Sequence, residues 1–322
     1  MKRAMNNVDY LRVSVTDRCN LRCIYCNPLG DHGLRDREGI LDSDEIHRVV
    51  RLCAECGIRK VRLTGGEPLM CRNIAELTRK LAAVAGIEDL SLTTNGVLLG
   101  PMAPQLKAAG LTRVNISLDA VDRRCYQQMT GFDLLPQVLE GMHEAIEVGL
   151  MPVRLNCVVM REYNLSQVMA LAEMTLRLPV SVRFIEYCPT SRATGPADGY
   201  VPNAEVRNII EAQLGSLLGV VVPDAGGPAV YFKAQRAAGA IGFISGRSSV
   251  FCHDCSRLRL TSDGKIRPCL HAGRCYDVRG LLRGGAGDEA VRNVIRRVLQ
   301  EKSRYTRTTS TAEDFLMQSI GG

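Results

Sequence analysis

Three cysteines stand close together early in the chain, in Asp17-Arg18-Cys19-Asn20-Leu21-Arg22-Cys23-Ile24-Tyr25-Cys26-Asn27-Pro28, and this C-x3-C-x2-C spacing constrains the fold more than any other feature. With thirteen cysteines in 322 residues, a given three-cysteine spacing arises by chance roughly 0.02 times per chain. Thirteen is odd, so a fully paired disulfide framework is excluded, and the thiols need another task. Three thiolates suit a four-iron cubane and leave one iron without a protein ligand, open for chemistry. A structural zinc normally takes four ligands in two pairs, and only His32 follows at a usable distance, so zinc is the alternative.

A second set lies near the C-terminus. Cys252-His253-Asp254-Cys255-Ser256-Arg257-Leu258-Arg259-Leu260 is followed by Gly264-Lys265-Ile266-Arg267-Pro268-Cys269-Leu270, a C-x2-C-x13-C spacing. Spacing alone allows either another three-thiolate cluster or a Cys3His zinc site completed by His253 or His271. Arg257 and Arg259 flank one strand position and so share a face, where both can meet phosphate oxygens; two solvated strand arginines are the plainer alternative. Cys53 and Cys56 form a C-x2-C within a helical stretch and read as buried or incidental thiols rather than a redox pair. Cys125, Cys157 and Cys275 follow no pattern.

Around these motifs, short β-branched apolar runs alternate with helical patterns up to about residue 186. The expected strands are Tyr10–Val15, Val61–Thr64, Leu90–Thr94, Val114–Leu118, Val153–Val159 and Val182–Ile185. Between them, Ser43–Glu55 reads as a helix capped by Ser43 or Asp42 and stopped by Gly57, and Leu134–Val148 as one ending at Gly149. Six such βα units predict a parallel sheet with reactive groups at the C-terminal strand ends. They fall short of the eight of a closed TIM barrel, so the expected fold is α/β, an incomplete (β/α)6 TIM-type barrel spanning 1–222. Loops are expected at Pro189–Asn203 and Pro223–Pro228. Beyond them, strands at Ala229–Phe232, Ala240–Ile244 and Leu258–Thr261 and a helix near Glu289–Glu301 predict a smaller C-terminal α+β domain, 223–322, carrying the second cysteine set.

Only seven of the 41 basic residues are lysine. Arginine's planar fork suits bidentate phosphate recognition, although a base-composition bias would give the same excess. The arginines are scattered and aromatics make up 5% of the chain, which argues against nucleic acid. No run approaches a membrane span and the first seven residues show no apolar leader, so a cytoplasmic location away from membranes is expected.

The C-x3-C-x-aromatic-C form of the first motif, with Tyr25 as the aromatic, resembles the radical S-adenosylmethionine superfamily. Thr64-Gly65-Gly66-Glu67-Pro68 at the end of the second expected strand resembles that superfamily's GGEP segment, although Gly-Gly alone more often marks a tight turn. Over essentially the whole chain the likeness narrows to the GTP 3′,8-cyclase family, which begins molybdenum cofactor biosynthesis. Its further marks are Asp9-Tyr10-Leu11-Arg12-Val13-Ser14-Val15-Thr16-Asp17-Arg18-Cys19, the C-x2-C-x-R-L-R segment and the terminal Gly321-Gly322.

The resemblance implies two 4Fe-4S clusters, ligated by Cys19, Cys23 and Cys26 and by Cys252, Cys255 and Cys269. It implies S-adenosylmethionine bound at Tyr25, Gly65, Gly66, Glu67, Ser117 and Cys188, the amino group being held by Glu67 and neighbouring backbone. GTP contacts would fall on Arg12, Arg62, Thr93, Arg154, Arg257, Leu258 and Arg259, with Arg257, Arg259 and a Gly321-Gly322 tail serving catalysis. A frayed end is the plainer reading of that tail. The implied reaction is radical removal of hydrogen from C3′ of GTP, attack on C8, and reduction to the 3′,8-cyclic dihydro nucleotide. Flavodoxin or ferredoxin would supply electrons and a cyclic pyranopterin monophosphate synthase would take the product; a homodimer is also entertained. The chain departs from the family at Cys71, where an arginine is usual and Arg72 stands adjacent, at Arg154 in place of lysine, and at Cys188 in place of methionine. These departures leave open a paralogous radical enzyme acting on a peptide or another nucleotide; a non-catalytic iron–sulfur or zinc regulator is the more distant alternative.

Overall fold

The computed structural model describes residues 8–27, 37–188, 199–222, 227–249, 251–252, 255–304 and 320. The first half alternates β1 (Tyr10–Ser14), α1 (Ser43–Glu55), β2 (Lys60–Thr64), α2 (Ile74–Ala82), β3 (Asp89–Thr94), α3 (Leu99–Ala108) and β4 (Arg113–Ser117). It continues with α4 (Arg123–Thr130), α5 (Leu135–Glu147), β5 (Val153–Val159), α6 (Arg161–Asn164), α7 (Val168–Arg177) and β6 (Val180–Glu186). Then follow α8 (Asn203–Leu214), β7 (Leu218–Gly219), β8 (Val230–Lys233), β9 (Ala240–Ile244), β10 (Arg257–Leu260), β11 (Lys265–Arg267), β12 (Tyr276–Asp277), α9 (Arg279–Arg283) and α10 (Asp288–Arg304). Each strand expected before residue 186 forms, with ends shifted by a residue or two. Among the described residues no helix is long and apolar enough to cross a membrane.

Among the described residues twelve strands belong to one sheet, in the order β12-β11-β10-β1-β2-β3-β4-β5-β6-β9-β8-β7. Strands β1 to β6 lie side by side in chain order and parallel, each joined to the next by a helical crossover. The sheet ends at β12 and β7 instead of closing on itself. The strands beyond residue 222 continue this sheet at both edges: β10 adds parallel to β1 and β9 parallel to β6. They cover what would otherwise be two bare edges of β1 and β6.

The two faces are chemically distinct because side chains alternate along each strand. Leu11, Val61, Leu63, Leu92, Val114, Ile116, Leu155, Val182 and Leu258 are fully buried in the hydrophobic core on one face. The alternate positions are polar. One register line runs Arg259–Arg12–Arg62–Ser91–Arg113, another Thr93–Asn115–Arg154–Ser181, and a third Ser117–Asn156–Arg183. Burial of each core Val, Leu or Ile contributes about 1.5–3 kcal/mol, so the apolar face holds the sheet and the polar face is free to be chemical.

Helix α1 shows how tightly local sequence sets an element. The Asp42 carboxylate accepts from the Asp44 and Glu45 N–H groups at 2.9 and 2.8 Å, and Glu45 returns a bond from the Asp42 N–H at 2.9 Å. This is a reciprocal capping box. Asp42→Ala should lower stability by about 1 kcal/mol and the thermal midpoint by about 2 °C, read by far-UV circular dichroism melting; an unmoved midpoint would show that packing alone positions α1.

Candidate active site

A cavity of about 330 Å³ opens over the C-terminal ends of the parallel strands. The loop leaving β1 enters it first. Val15 N–H donates to the Thr64 carbonyl at 2.9 Å, Gly66 N–H to Thr16 at 2.8 Å and Glu67 N–H to Arg18 at 2.7 Å, so the segments before Cys19 and around Gly66 are zipped together. Gly65 has φ +143°, in the region that favours glycine, and a Cβ on Gly66 would lie 2.2 Å from the Arg18 carbonyl oxygen. The cysteine loop is braced from behind: Arg22 and Ile24 N–H groups donate to Thr130 and Met129 at the end of α4, and the Cys26 and Asn27 N–H groups both donate to the Cys23 carbonyl. Cys19, Cys23 and Cys26 thereby all line the cavity.

Three buried carboxylates fix the surroundings. Glu67 is 1% exposed, and its oxygens accept from the Leu69 N–H (3.0 Å), the Thr94 hydroxyl (2.7 Å) and the Asn95 N–H (2.7 Å). These bonds make its side chain a tie between the loops, and Glu67 is not among the described lining of the cavity. Burial raises its pKa to about 7 against those three donors. Its partner residue Asn95 does face the cavity, with Nδ2 4.0 Å from Cys19 Sγ and 2.7 Å from Asn20 Oδ1. Asp119 accepts from the Tyr25 hydroxyl at 2.8 Å and the Val158 N–H at 2.8 Å, holding the motif's aromatic ring, and burial raises its pKa to about 6. Glu186 accepts from the N–H groups of Asn203, Arg247 and Ser248 and from the Ser248 hydroxyl. Burial pulls Glu186 up, but those donors prevail and keep it below the usual carboxylate range.

Five guanidinium groups, from Arg12, Arg62, Arg183, Arg257 and Arg259, line the same cavity, and Glu186 is the single carboxylate residue among its described lining. Several are held by neutral groups. Arg183 donates to Asn156 Oδ1 at 2.8 Å and Asn115 Oδ1 at 2.7 Å, Arg62 stands over the Tyr10 ring at 5.2 Å, and Arg257 stands over Phe251 at 5.4 Å. Burial above all, and the neighbouring guanidinium groups after it, depress the pKa of Arg62 to about 9 and of Arg259 to about 10. Arg12 is also lowered, first by burial and then by Arg259 and Arg62. Such a wall is poised for a polyanion, whose charge would relieve the repulsion. Thr93 adds a buried hydroxyl oxygen without a hydrogen-bond partner among the described residues.

Most expected site residues meet here: Tyr25, Gly65, Gly66, Ser117, Cys188, Arg12, Arg62, Thr93, Arg257 and Arg259 all line the cavity. Others do not. Leu258 faces the opposite side of β10, fully buried in the apolar core, so its side chain cannot touch a ligand. Arg154 is 1% exposed and lies off the lining among Arg113 and Arg183, where burial first and Arg113 next lower its pKa to about 10. Arg72 is exposed and does not line the cavity, so it does not stand in for the arginine missing at Cys71. Cys252, Cys255 and Cys269 are off the lining too, although Phe251, Arg257 and Arg259 beside them are on it. Gly321, Gly322, His32 and His253 lie outside the described residues. Arg183 and Asn156 were missed; a charged residue inside an apolar parallel strand was the signal.

Cys19, Cys23 and Cys26 share one cavity wall, and a cubane takes each thiolate at a separate iron. Burial alone would raise the Cys255 thiol, but Arg257 and Lys302 outweigh it and bring its pKa to about 6, favouring the thiolate.

Residues 13–175 match the Radical SAM superfamily, and residues 180–308 match Molybdenum Cofactor Synthesis C. A protein of Pelotomaculum thermopropionicum named GTP 3′,8-cyclase is 44% identical over 319 residues, covering 98% of either chain. One of the same name from Thermodesulfovibrio yellowstonii is 41% identical over 321 residues, again 98% of each. The chain belongs to the GTP 3′,8-cyclase family of radical SAM proteins. Membership implies a 4Fe-4S cluster and S-adenosylmethionine. The Streptococcus suis SuiB structure bound to S-adenosylmethionine shares the fold, with TM-score 0.63 at 16% identity over 97% of this chain and 72% of that one.

For a cyclase-family loop packed this closely, Gly66→Ala must displace the Arg18 carbonyl. It should reduce S-adenosylmethionine cleavage on the order of a hundredfold while the circular dichroism spectrum stays unchanged, and Arg72→Ala, off the cavity, should leave cleavage intact. Equal activity of the two variants would contradict the tight apposition.

Proposed function

We propose that this chain is a GTP 3′,8-cyclase, a radical SAM lyase that converts GTP to (8S)-3′,8-cyclo-7,8-dihydroguanosine 5′-triphosphate in the first step of molybdenum cofactor (molybdopterin) biosynthesis. The observation that carries the reading is the cavity in which three motif thiols share one wall system with five arginines and a single carboxylate residue. Cys19, Cys23 and Cys26 would hold the first 4Fe-4S cluster and Cys252, Cys255 and Cys269 the second. When bound, the first cluster and S-adenosylmethionine supply the radical that removes hydrogen from C3′, chemistry that belongs to the cofactor.

The chain's own residues bind, orient and exclude. Arg12, Arg62, Arg183, Arg257 and Arg259 would hold the triphosphate and hydrogen-bonding atoms of GTP, and the Thr93 hydroxyl offers a further contact. The Gly65-Gly66 backbone, Tyr25, Ser117 and Cys188 would seat S-adenosylmethionine, with Tyr25 steadied by Asp119. Holding C3′ within reach of the radical turns an encounter into an intramolecular step, and the arginine wall is preorganised at no cost during the reaction. Electrons would come from a flavodoxin or ferredoxin, and the product would pass to a cyclic pyranopterin monophosphate synthase.

Anaerobic turnover of reconstituted protein with reductant and S-adenosylmethionine tests this directly. GTP should raise 5′-deoxyadenosine formation and yield a cyclised nucleotide by mass spectrometry. Cleavage that ignores GTP would sink the substrate assignment and favour a paralogous radical enzyme. Arg257→Ala removes a charge-assisted contact worth about 1.5–3 kcal/mol and should weaken GTP binding roughly tenfold to a hundredfold, read by isothermal titration calorimetry.

A further inference from the structure

Helix α10 buries one stripe, Val291, Ile295 and Val298, each 0% exposed. The next position on that stripe, four residues on, is Lys302, and it is 2% exposed. An apolar residue would continue the stripe without the several kcal/mol that burying an ammonium costs unless it meets a partner. Lysine is also scarce, seven of 41 basic residues, so the break in pattern points to a specific use.

That partner is the second cysteine set. Lys302 Nζ donates to Cys255 Sγ at 3.2 Å. The helix delivering it is anchored along its length: Arg48 and Arg51 of α1 hold Asp288 at 2.8 and 2.6 Å, Arg292 holds Glu55 at 2.7 Å, and Glu301 accepts from the Tyr276 hydroxyl. The ammonium is thus brought to the sulfur by a fixed helix, not by a side chain wandering on the surface.

We propose that Lys302 is a positioning residue of the second cluster, donating an N–H···S hydrogen bond to the Cys255 thiolate and raising that cluster's reduction potential. The proposal rests on Cys252, Cys255 and Cys269 being the ligands of that cluster. Reduction adds negative charge, and a hydrogen-bond donor carrying positive charge beside a ligating sulfur stabilises the reduced form more than the oxidised one.

The test is a redox titration of reconstituted wild type, Lys302→Met and Lys302→Arg, followed by electron paramagnetic resonance, with iron counted first. The second cluster's signal is assigned from the full chain in which Cys19, Cys23 and Cys26 are serine. Lys302→Met should shift the second cluster's reduction equilibrium toward the oxidised form about tenfold, about 59 mV for a one-electron couple, while the first cluster stays put and Lys302→Arg recovers most of the shift. Loss of the second cluster alone in Lys302→Met, with retention in Lys302→Arg, equally supports the role. About eight irons per chain with an unmoved midpoint, or both clusters shifting together, overturns it. A wild type holding only about four irons removes the second-cluster reading and this proposal with it, an outcome distinct from failure of Lys302 alone.

Discussion

The parallel pairing of β10 with β1 is the contact on which the rest of the molecule's chemistry depends. It sets Arg257 opposite Tyr10 and Arg259 opposite Arg12, joining residues some 250 positions apart in sequence. Tyr10 N–H donates to the Ser256 carbonyl at 3.3 Å at the same junction. Since β1 leads directly into Cys19 and β10 follows directly from Cys255, one strand pairing fixes both cysteine sets relative to one cavity. The alternation of side chains then does the rest, because a one-residue slip would exchange arginines for leucines on every strand it touched.

A sheet face carrying this many buried arginines is unstable in isolation. Desolvation and mutual repulsion both oppose it, as the lowered pKa values of Arg12, Arg62 and Arg259 record. The opposite face offsets that cost, with its aliphatic side chains packed under the helices at no exposure. The division is a trade between stability and function: apolar packing on the helix side holds open a polar interior rich in arginine.

The three buried carboxylates act as staples for loops. Glu67 ties the segment after β2 to the end of β3, Asp119 ties the end of β4 to Tyr25 and β5, and Glu186 ties the end of β6 to Asn203, Arg247 and Ser248. Each accepts from backbone N–H groups that a loop over a cavity would otherwise leave buried and unmet. The result is a preorganised rim on irregular backbone, which regular secondary structure alone does not provide.

Much of this was legible in the chain. The two cysteine spacings, the glycine pair after β2 and the β-branched apolar runs point to the motifs, the βα order and most strands to within a residue or two, because those signals are local and each has a short-range physical cause; the two- and three-residue strands β7, β11 and β12 leave no such signal. Arg113, Arg154 and Arg183 show where legibility stops. All three are arginines in apolar parallel strands, yet Arg113 pairs with Asp89, Arg154 lies off the lining, and Arg183 faces the cavity. Likewise nothing in the chain sets Lys302 apart until Cys255 is found beside it. The sequence by itself determined where the cysteine motifs, strands and helices lie along the chain. Only the tertiary structure decided which residues share a space, because strand order and the packing of α10 are set by contacts between residues far apart in the chain.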